Sequence, residues 1–268
     1  MITKKQKKLG QVFLKDKKVL KEIIKASEIQ SKDQLLEIGP GKGVLTKPIL
    51  ETGAKVVAIE KDPQLVTFLK NRFKNKLNLK IIHADIRDFL QNTQCRILNT
   101  QYKAIGNIPY YLTSHLLRLL LENSKKPSLI VLMIQKEVAE RIIAQPPKMN
   151  ILAISVQFYA KTEIICYVPK TAFYPEPKIN SAIIKITPVN TKENTNEVFK
   201  KTFFNIIKAG FKQPRKLLIN NLRKNLKIGK DVLQKIFLQL NFPLNTRAQN
   251  LSIKQWISIS SLLMKNIV

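Results

Sequence analysis

Strand-like and helix-like segments alternate regularly between residues 34 and 188. Seven short runs there are rich in Ile and Val, and most are apolar throughout, as in strands buried on both faces. The predicted strands are residues 35–38, 55–60, 79–83, 102–106, 129–134, 163–168 and 181–186. Because helix-like runs fall between several of them, the sequence predicts an α/β fold with a mostly parallel, doubly wound sheet.

Helix signals and composition divide the chain. Asp62 and Pro63 are a typical N-cap and first helical residue, predicting a helix that ends at Arg72. Thr113 is expected to cap another helix, which ends at Glu122. Residues 189–197 are polar and indicate a linker, and residues 198–268 contain four helix-patterned segments and no good strand. The sequence thus predicts a domain over 1–188 and a small all-helical domain over 198–268.

The charge of the chain favours a polyanionic partner. Lys and Arg number 47 against 18 acidic residues, which gives a net charge of +29. Residues 198–268 hold 14 basic residues and one acid, and residues 1–32 hold ten basic residues and three acids. These two segments are therefore expected to dock a nucleic acid.

Other sequence features bear on membrane association, secretion and the state of the cysteines. Its longest apolar run, 129–134, is far too short to span a bilayer, and no apolar stretch follows the basic start. Cys95 and Cys166 have neither metal-ligand spacing nor the pattern of a disulfide scaffold. We expect a soluble, cytoplasmic protein with no metal and no membrane partner, in which both cysteines are core thiols.

A glycine-rich loop follows the first predicted strand. Gly39, Gly41 and Gly43 alternate with other residues, whereas the dinucleotide fingerprint would require glycine in place of Val44. Glu60 ends the second strand and Asp85 follows the third, where acids can accept hydrogen bonds from ribose hydroxyls and from an adenine amine. Together they predict an adenosine-containing cofactor, without separating NAD from S-adenosyl-L-methionine.

The fourth predicted strand separates these cofactors, since it leads into the sequence Asn107-Ile-Pro109-Tyr110. Methylating an exocyclic amine requires its lone pair to point at the methyl donor. An Asn carboxamide oxygen and a nearby backbone carbonyl can accept the two N–H bonds and favour that geometry. Proline fixes the turn, and the Tyr110 ring can stack on a base. The pattern predicts methyl transfer to an amine of a base.

The chain resembles the 16S ribosomal RNA adenine dimethyltransferase family along almost its whole length. The matching segments are residues 9–14, 37–46, 57–62, 85, 106–111, 135–141, 173–181, 210–216 and 247–252. The resemblance implies a Rossmann-like class I methyltransferase sheet that uses S-adenosyl-L-methionine to dimethylate N6 of two adjacent adenines in the terminal hairpin of small-subunit rRNA. It also implies a partner in a ribosome assembly intermediate, and we expect the chain to act as a monomer.

By position, the resemblance assigns cofactor contacts to Leu14, Gly39, Gly41, Glu60, Asp85, Ile86 and Asn107. It places Asn107 and Pro109 at the reacting amine, with Tyr110 and Phe173 sandwiching the flipped adenine. Val12 stands where the family usually has Asn or His, so a polar side-chain contact to the cofactor is missing there. We expect the backbone or water to replace it, or the cofactor to bind more weakly.

Two other functions fit parts of the pattern. The related 23S rRNA adenine methyltransferases of macrolide resistance share the glycine loop and the Asn-Ile-Pro-Tyr turn. Residues 135–138 and 210–221 look like the small-subunit enzymes instead. A pre-rRNA-binding assembly factor without catalysis would suit Val12 and the basic charge, but Gly39, Glu60, Asp85 and Asn107 argue against it.

Overall fold

The computed structural model describes residues 12–91, 97–98, 101–108, 112–123 and 125–267. Each of the seven predicted strands is present, within three residues of its expected bounds. They are β2 (Gln34–Ile38), β3 (Lys55–Glu60), β4 (Leu79–His83), β5 (Lys103–Asn107), β6 (Leu129–Gln135), β7 (Ala160–Val168) and β9 (Ser181–Pro188).

These strands form one sheet in the order β4-β3-β2-β5-β6-β9-β7. Neighbouring strands from β4 to β6 pair in parallel, and β9 pairs antiparallel with both β6 and β7. The chain reverses direction across the sheet at β2, next to β5, which is where open α/β sheets bind ligands at the carboxyl ends of their strands. The fold class is therefore the predicted one, with one antiparallel strand.

Among the described residues, five α-helices lie wholly in the unit that contains the sheet, which comprises residues 1–140 and 160–188. They are α1 (Lys17–Ala26), α2 (Thr46–Glu51), α3 (Pro63–Arg72), α4 (Ile86–Gln91) and α5 (Thr113–Glu122). The next helix, α6 (Lys136–Ile142), crosses from this unit into the second. As predicted, Asp62 caps α3, since its carboxylate accepts from the Gln64 N–H. Thr113 is instead the first residue of α5, so the predicted cap is wrong by one position.

A two-stranded ribbon completes this unit. It pairs β1 (Phe13–Leu14) antiparallel with β8 (Phe173–Tyr174), so that Leu14 lies opposite Phe173 and Phe13 opposite Tyr174. Leu14 and Phe173 are buried in a hydrophobic cluster with residues of α1, β2, β3 and β6. The ribbon thereby anchors the chain near its start to the core of the sheet unit.

The second unit comprises residues 141–159 and 189–268 and is helical wherever the structure describes regular elements. Its helices are α7 (Ile151–Gln157), α8 (Lys192–Thr195), α9 (Glu197–Gly210), α10 (Leu218–Leu226), α11 (Lys230–Gln239) and α12 (Ile253–Ile267). Phe158 stacks on Phe203, with 4.4 Å between ring centroids, and Trp256 is fully buried. Stacked aromatic side chains thus supply much of its core.

The structure draws the domain boundary differently from the sequence-based expectation. Residues 141–159 were expected in the first domain but belong to the second unit. The segment expected as a linker contains α8, because Thr191 and Asn194 form a capping box and the Asn194 amide donates to the Phe158 carbonyl oxygen. A short polar segment can therefore be ordered by hydrogen bonds rather than by apolar packing.

Two further features concern membrane-spanning helices and the cysteines. Among the helices that the structure describes, none is both long and apolar enough to cross a bilayer. Cys166 is a partly buried thiol packed against the core of the sheet unit, and burial raises its pKa. Cys95 lies outside the described residues.

Candidate active site

A cavity opens at the carboxyl edge of the sheet, beside the ends of β2, β3 and β5. Six of the expected cofactor-binding residues line it: Val12, Leu14, Gly39, Gly41, Glu60 and Asn107. The structure therefore brings together residues that the sequence places up to 95 positions apart.

The glycine loop after β2 is held by two hydrogen bonds to the end of β3, one to a backbone oxygen and one to a side chain. The Gly39 N–H donates to the Ile59 carbonyl oxygen at 3.0 Å, and the Gly41 N–H donates to Oε2 of Glu60 at 3.1 Å. Gly41 has φ +58°, and a Cβ there would lie 3.3 Å from the Phe13 ring. The loop thus lies directly under β1, in the left-handed conformation that glycine adopts without strain.

Gly43 offers a test of this loop geometry. It has φ +74°, and a Cβ there would lie 2.6 Å from Cε2 of Phe73. We expect Gly43→Ala to lower the free energy of unfolding by about 1–3 kcal/mol, through backbone strain and overpacking. Gly229→Ala is the matched control, because a Cβ at Gly229 meets no atom within 4 Å and its φ is −59°. Urea unfolding measures both, and equal stability of the two variants would contradict this description of the loop.

Glu60 links the glycine loop to the end of β3. It is 5% exposed, and its Oε1 accepts from the N–H groups of Lys61 and Asp62 at 2.8 and 2.9 Å. Burial raises its pKa, and the hydrogen bonds to these two amides and to Gly41 oppose that effect. Three amide donors leave one of about four lone-pair sites on the carboxylate for a ligand.

Asp85 lies at the start of α4 and does not line the cavity. Its Oδ1 accepts from the backbone N–H and Nε of Arg87, and its Oδ2 accepts from Nη2 of Arg87 and Nζ of Lys61. The Arg87 hydrogen bonds are the main reason that the pKa of this carboxyl lies well below its usual range. All four lone-pair sites are therefore filled, so an adenine amine could bind Asp85 only if one donor moved. Ile86 is buried in α4 and is also absent from the cavity wall.

Asn107 ends β5 and lines the cavity. Its Nδ2 donates to the Val12 carbonyl oxygen at 3.4 Å. This bond orients the Asn107 amide and leaves its Oδ1 as an acceptor for a ligand. Val12 thus contributes its backbone oxygen, while its side chain packs against the core. Pro109 and Tyr110 lie outside the described residues.

Phe173 does not have the exposure expected of a residue that stacks on a base. Its ring is 2% exposed and packs in the core cluster with Leu14, whereas the next ring, Tyr174, is 65% exposed. The strand alternates its side chains between two faces, and the hydrophobic position points inward. In this arrangement Phe173 packs in the core cluster, and its place beside the adenine stays a prediction.

The burial of these two neighbours predicts different responses to truncation. We expect Phe173→Ala to destabilise the protein by about 3–5 kcal/mol, as for other fully buried aromatic residues. Tyr174→Ala, the matched control, should change stability by about 0.5 kcal/mol or less because its ring is exposed. Thermal unfolding distinguishes them. A melting temperature of Phe173→Ala equal to that of the control would show that the ring is not part of the core.

Glu37 also lines the cavity, although no sequence pattern assigned it a role. It is 1% exposed, and neither carboxyl oxygen has a hydrogen-bond partner among the described residues. Burial, with a smaller contribution from the charge of Glu60, raises its pKa from 4.5 to about 8. The available signal was an acid inside β2, whose other central residues are apolar. A buried acid in such a strand is rare unless it is paired or binds a ligand.

Comparison with known proteins identifies relatives over the full length. The family described as ribosomal RNA adenine dimethylase matches residues 2–265. A ribosomal RNA small subunit methyltransferase A from Dehalococcoides mccartyi is 39% identical over 253 residues, covering 94% of this chain and 86% of the relative. A protein of the same name from Fusobacterium nucleatum is 36% identical, with 96% of each chain covered.

Solved structures agree with the fold. A dimethyladenosine transferase from Plasmodium falciparum superposes with a TM-score of 0.79 at 26% identity, over 96% of this chain and 98% of that one. A 23S rRNA methyltransferase, ErmE, superposes with a TM-score of 0.75 at 20% identity, over 94% and 99% of the two chains, which shows a shared fold. On its nearly full-length family match and its relatives above one-third identity, this chain belongs to the ribosomal RNA adenine dimethylase family.

Proposed function

We propose that the chain uses S-adenosyl-L-methionine to dimethylate N6 of two adjacent adenines in the 3′-terminal hairpin of small-subunit (16S) rRNA, within a ribosome assembly intermediate. Family membership and the small-subunit enzymes among its relatives support this substrate. The observation that carries the proposal is the placement of Asn107 in the same cavity as the glycine loop and Glu60. The residues suited to bind adenosine and the amide suited to orient an amine thus line one cavity.

The residues of the cavity fit S-adenosyl-L-methionine, which supplies an electrophilic methyl group on a positively charged sulfur. The glycine loop lets the backbone approach a ligand, and the remaining acceptor site of Glu60 suits a ribose hydroxyl. The apolar side chains of Leu14, Leu20 and Leu45 also line the cavity. Two carboxyl groups, Glu37 and Glu60, line the cavity, and a ligand with positive charge would favour their ionised forms.

The adenine end requires a local rearrangement. Asp85 can accept a hydrogen bond from an adenine amine if the Lys61 ammonium leaves Oδ2. Lys61 is the donor most easily moved, since its side chain is 56% exposed and its ion pair is near the surface. The two hydrogen bonds from the Arg87 guanidinium would keep the carboxylate ionised and oriented meanwhile.

Asn107 would orient the reacting amine. Its Oδ1 would accept one N–H of the target base, which keeps the nitrogen lone pair directed toward the methyl group. The bond from Nδ2 to the Val12 carbonyl holds the amide in this orientation. Pro109 and Tyr110 remain predicted partners at the same turn, and Tyr110 is the predicted stacking ring.

The second unit is the proposed rRNA-docking domain. Of its 14 basic residues in 198–268, 13 are exposed and Lys200 is half-buried. An exposed surface of this sign attracts phosphates with little sequence preference, and its affinity falls steeply with salt. The monomeric state and the cytoplasmic location remain predictions from the sequence.

Methyl transfer to ribosomal particles tests the substrate. Undermethylated small and large subunits are incubated separately with the protein and S-adenosyl-L-methionine labelled on its methyl group. We expect label in 16S rRNA of the small subunit alone. Label in 23S rRNA would support the resistance-type reaction instead, and RNA binding without label would support an assembly factor.

A further inference from the structure

Tyr174 is an exposed aromatic residue to which the proposed function gives no role. Its side chain is 65% exposed, although the other residue of β8, Phe173, is buried in the core of the sheet unit. Within the described part of the chain, the Tyr174 ring contacts no other ring and its hydroxyl has no hydrogen-bond partner. Single exposed aromatic residues are common, so the position of this ring decides whether it can bind a substrate.

The Tyr174 ring lies on the face of the ribbon that covers the glycine loop. Tyr174 is opposite Phe13, and opposite residues of an antiparallel pair project their side chains to the same face, about 5 Å apart. The Phe13 ring lies against the loop, since a Cβ on Gly41 would be 3.3 Å from it. The other pair of the ribbon, Leu14 and Phe173, is buried. Tyr174 therefore lies beside the cavity and not in the core.

The ribbon is also connected to the residue proposed to hold the reacting amine. Nδ2 of Asn107 donates to the carbonyl oxygen of Val12, which precedes Phe13 in the chain. One step along the chain and one step across the ribbon, about 4 and 5 Å, separate Val12 from Tyr174. The ring is therefore close enough to Asn107 to contact the nucleotide next to the one whose amine Asn107 would hold.

Tyr174 is the ring of this pair that is free to stack on a base. The Phe13 ring packs on the glycine loop, and the Lys42 ammonium lies 4.9 Å from its centroid. Lys42, and Lys15 at the end of β1, are exposed and form no ion pair with any residue that the structure describes. Their charges are therefore available for the phosphates on either side of a stacked base.

We propose that Tyr174 stacks on the base adjacent to the adenine that is being methylated. This rests on the proposed function, because the substrate proposed there has two adjacent adenines, each of which must leave the stack to be methylated. Extrusion of one adenine removes a stacking partner from its neighbour, and the exposed Tyr174 ring replaces that partner. Tyr174 is thus a substrate-binding residue, whereas Tyr110 and Phe173 stay predicted for the extruded adenine.

Steady-state methyl transfer to undermethylated small subunits measures the contribution of the ring. Stacking of a base on an aromatic side chain strengthens binding by about 5- to 150-fold. We expect Tyr174→Ala to lower kcat/KM for the subunit at least about fivefold, and Tyr174→Phe and Tyr174→Trp to stay within about twofold of the wild type, since they keep a flat ring. The affinity for S-adenosylhomocysteine should not change, because Tyr174 is not part of the cavity lining.

Tyr167→Ala is the matched control. Tyr167 is also exposed, at 54%, but it lies on β7 at the edge of the sheet and outside the ribbon. Its ring and hydroxyl contact Lys136 and Glu140. We expect this variant to keep the wild-type kcat/KM, and both alanine variants to melt close to the wild type because both rings are exposed.

A synthetic RNA hairpin identifies the base that the ring contacts. One version carries two adjacent adenines in its loop, and two further versions each lack one of these bases, so that the remaining adenine is the target. Affinity is measured with S-adenosylhomocysteine present. In at least one version, loss of the base should weaken binding to the wild type at least about fivefold and to Tyr174→Ala about twofold or less, since both changes remove the same contact.

Three results would overturn the inference. One is a wild-type kcat/KM for Tyr174→Ala. The second is equal affinity of the wild type for the three hairpins, or an equal loss with all three in Tyr174→Ala, either of which would exclude a contact with the adjacent base. The third is weaker binding of S-adenosylhomocysteine by Tyr174→Ala, which would show that the ring supports the cavity instead. Absence of methyl transfer by the wild-type chain would overturn the proposed function itself, and this contact with it.

Discussion

Replacing Asn107 with Ala should reduce methyl transfer by about 100- to 1,000-fold while leaving rRNA affinity unchanged. Losses of this size follow removal of one preorganised polar group at a reacting centre. The structure adds the reason for its preorganisation, since the amide is fixed by a bond from Nδ2 to the Val12 carbonyl oxygen. The side chain lines the cavity and is partly buried, so truncation removes a directed acceptor rather than a flexible surface group.

Single-turnover methyl transfer and RNA affinity are measured on the same preparation. Asn75→Ala is the control, because Asn75 is an exposed residue after α3. If Asn107→Ala transferred methyl groups at the wild-type rate, the assignment of this residue to the reacting amine would be wrong. If it lost both activities together, a folding defect would be the explanation, and the melting temperature would show it.

Replacing Glu60 with Ala should weaken S-adenosylhomocysteine binding by about 100-fold or more. Three backbone N–H groups lose their acceptor, and each unsatisfied donor costs about 1–3 kcal/mol unless water replaces the carboxylate. The Gly41 amide is one of them, so the glycine loop loses its connection to β3. The ribose contact would be lost in the same step.

Calorimetry and thermal unfolding separate these effects. Glu163→Ala is the control, since Glu163 is exposed, pairs with Lys185 and is not part of the cavity lining. We expect that variant to bind the ligand normally and to lose little stability. Binding of Glu60→Ala within about threefold of the wild type would contradict the role given to this carboxylate.

The apolar runs and their alternation with helix-like segments were enough to predict the sheet. Strands buried on both faces are nearly continuous apolar runs, so β3, β5 and β6 could be located from those runs. The ribbon of β1 and β8 was not predicted, because two-residue strands carry no periodic signal. Neither was α8, whose order depends on side-chain hydrogen bonds to distant backbone.

The site was predictable where spacing encodes it. Glycines after a strand and polar residues at strand ends meet at one edge of a parallel sheet, which placed Gly39, Glu60 and Asn107 together. Burial was not predictable in the same way. Phe173 belongs to a family motif, yet its ring packs in the core. The carboxylate oxygens of Asp85 already accept hydrogen bonds from Arg87 and Lys61. The burial of a ring and the partners of a carboxylate depend on residues distant in the sequence, which a local sequence pattern does not identify.

Nucleoside mass spectrometry with mapping of the modified positions tests for dimethylation of two adjacent adenines. Undermethylated small subunits are treated with the wild-type protein and S-adenosyl-L-methionine, and their 16S rRNA is digested. We predict N6,N6-dimethyladenosine at two neighbouring adenines of the 3′-terminal hairpin, and none after treatment with Asn107→Ala. Methylation of another base, or unmodified adenines after treatment with the wild-type protein, would contradict it.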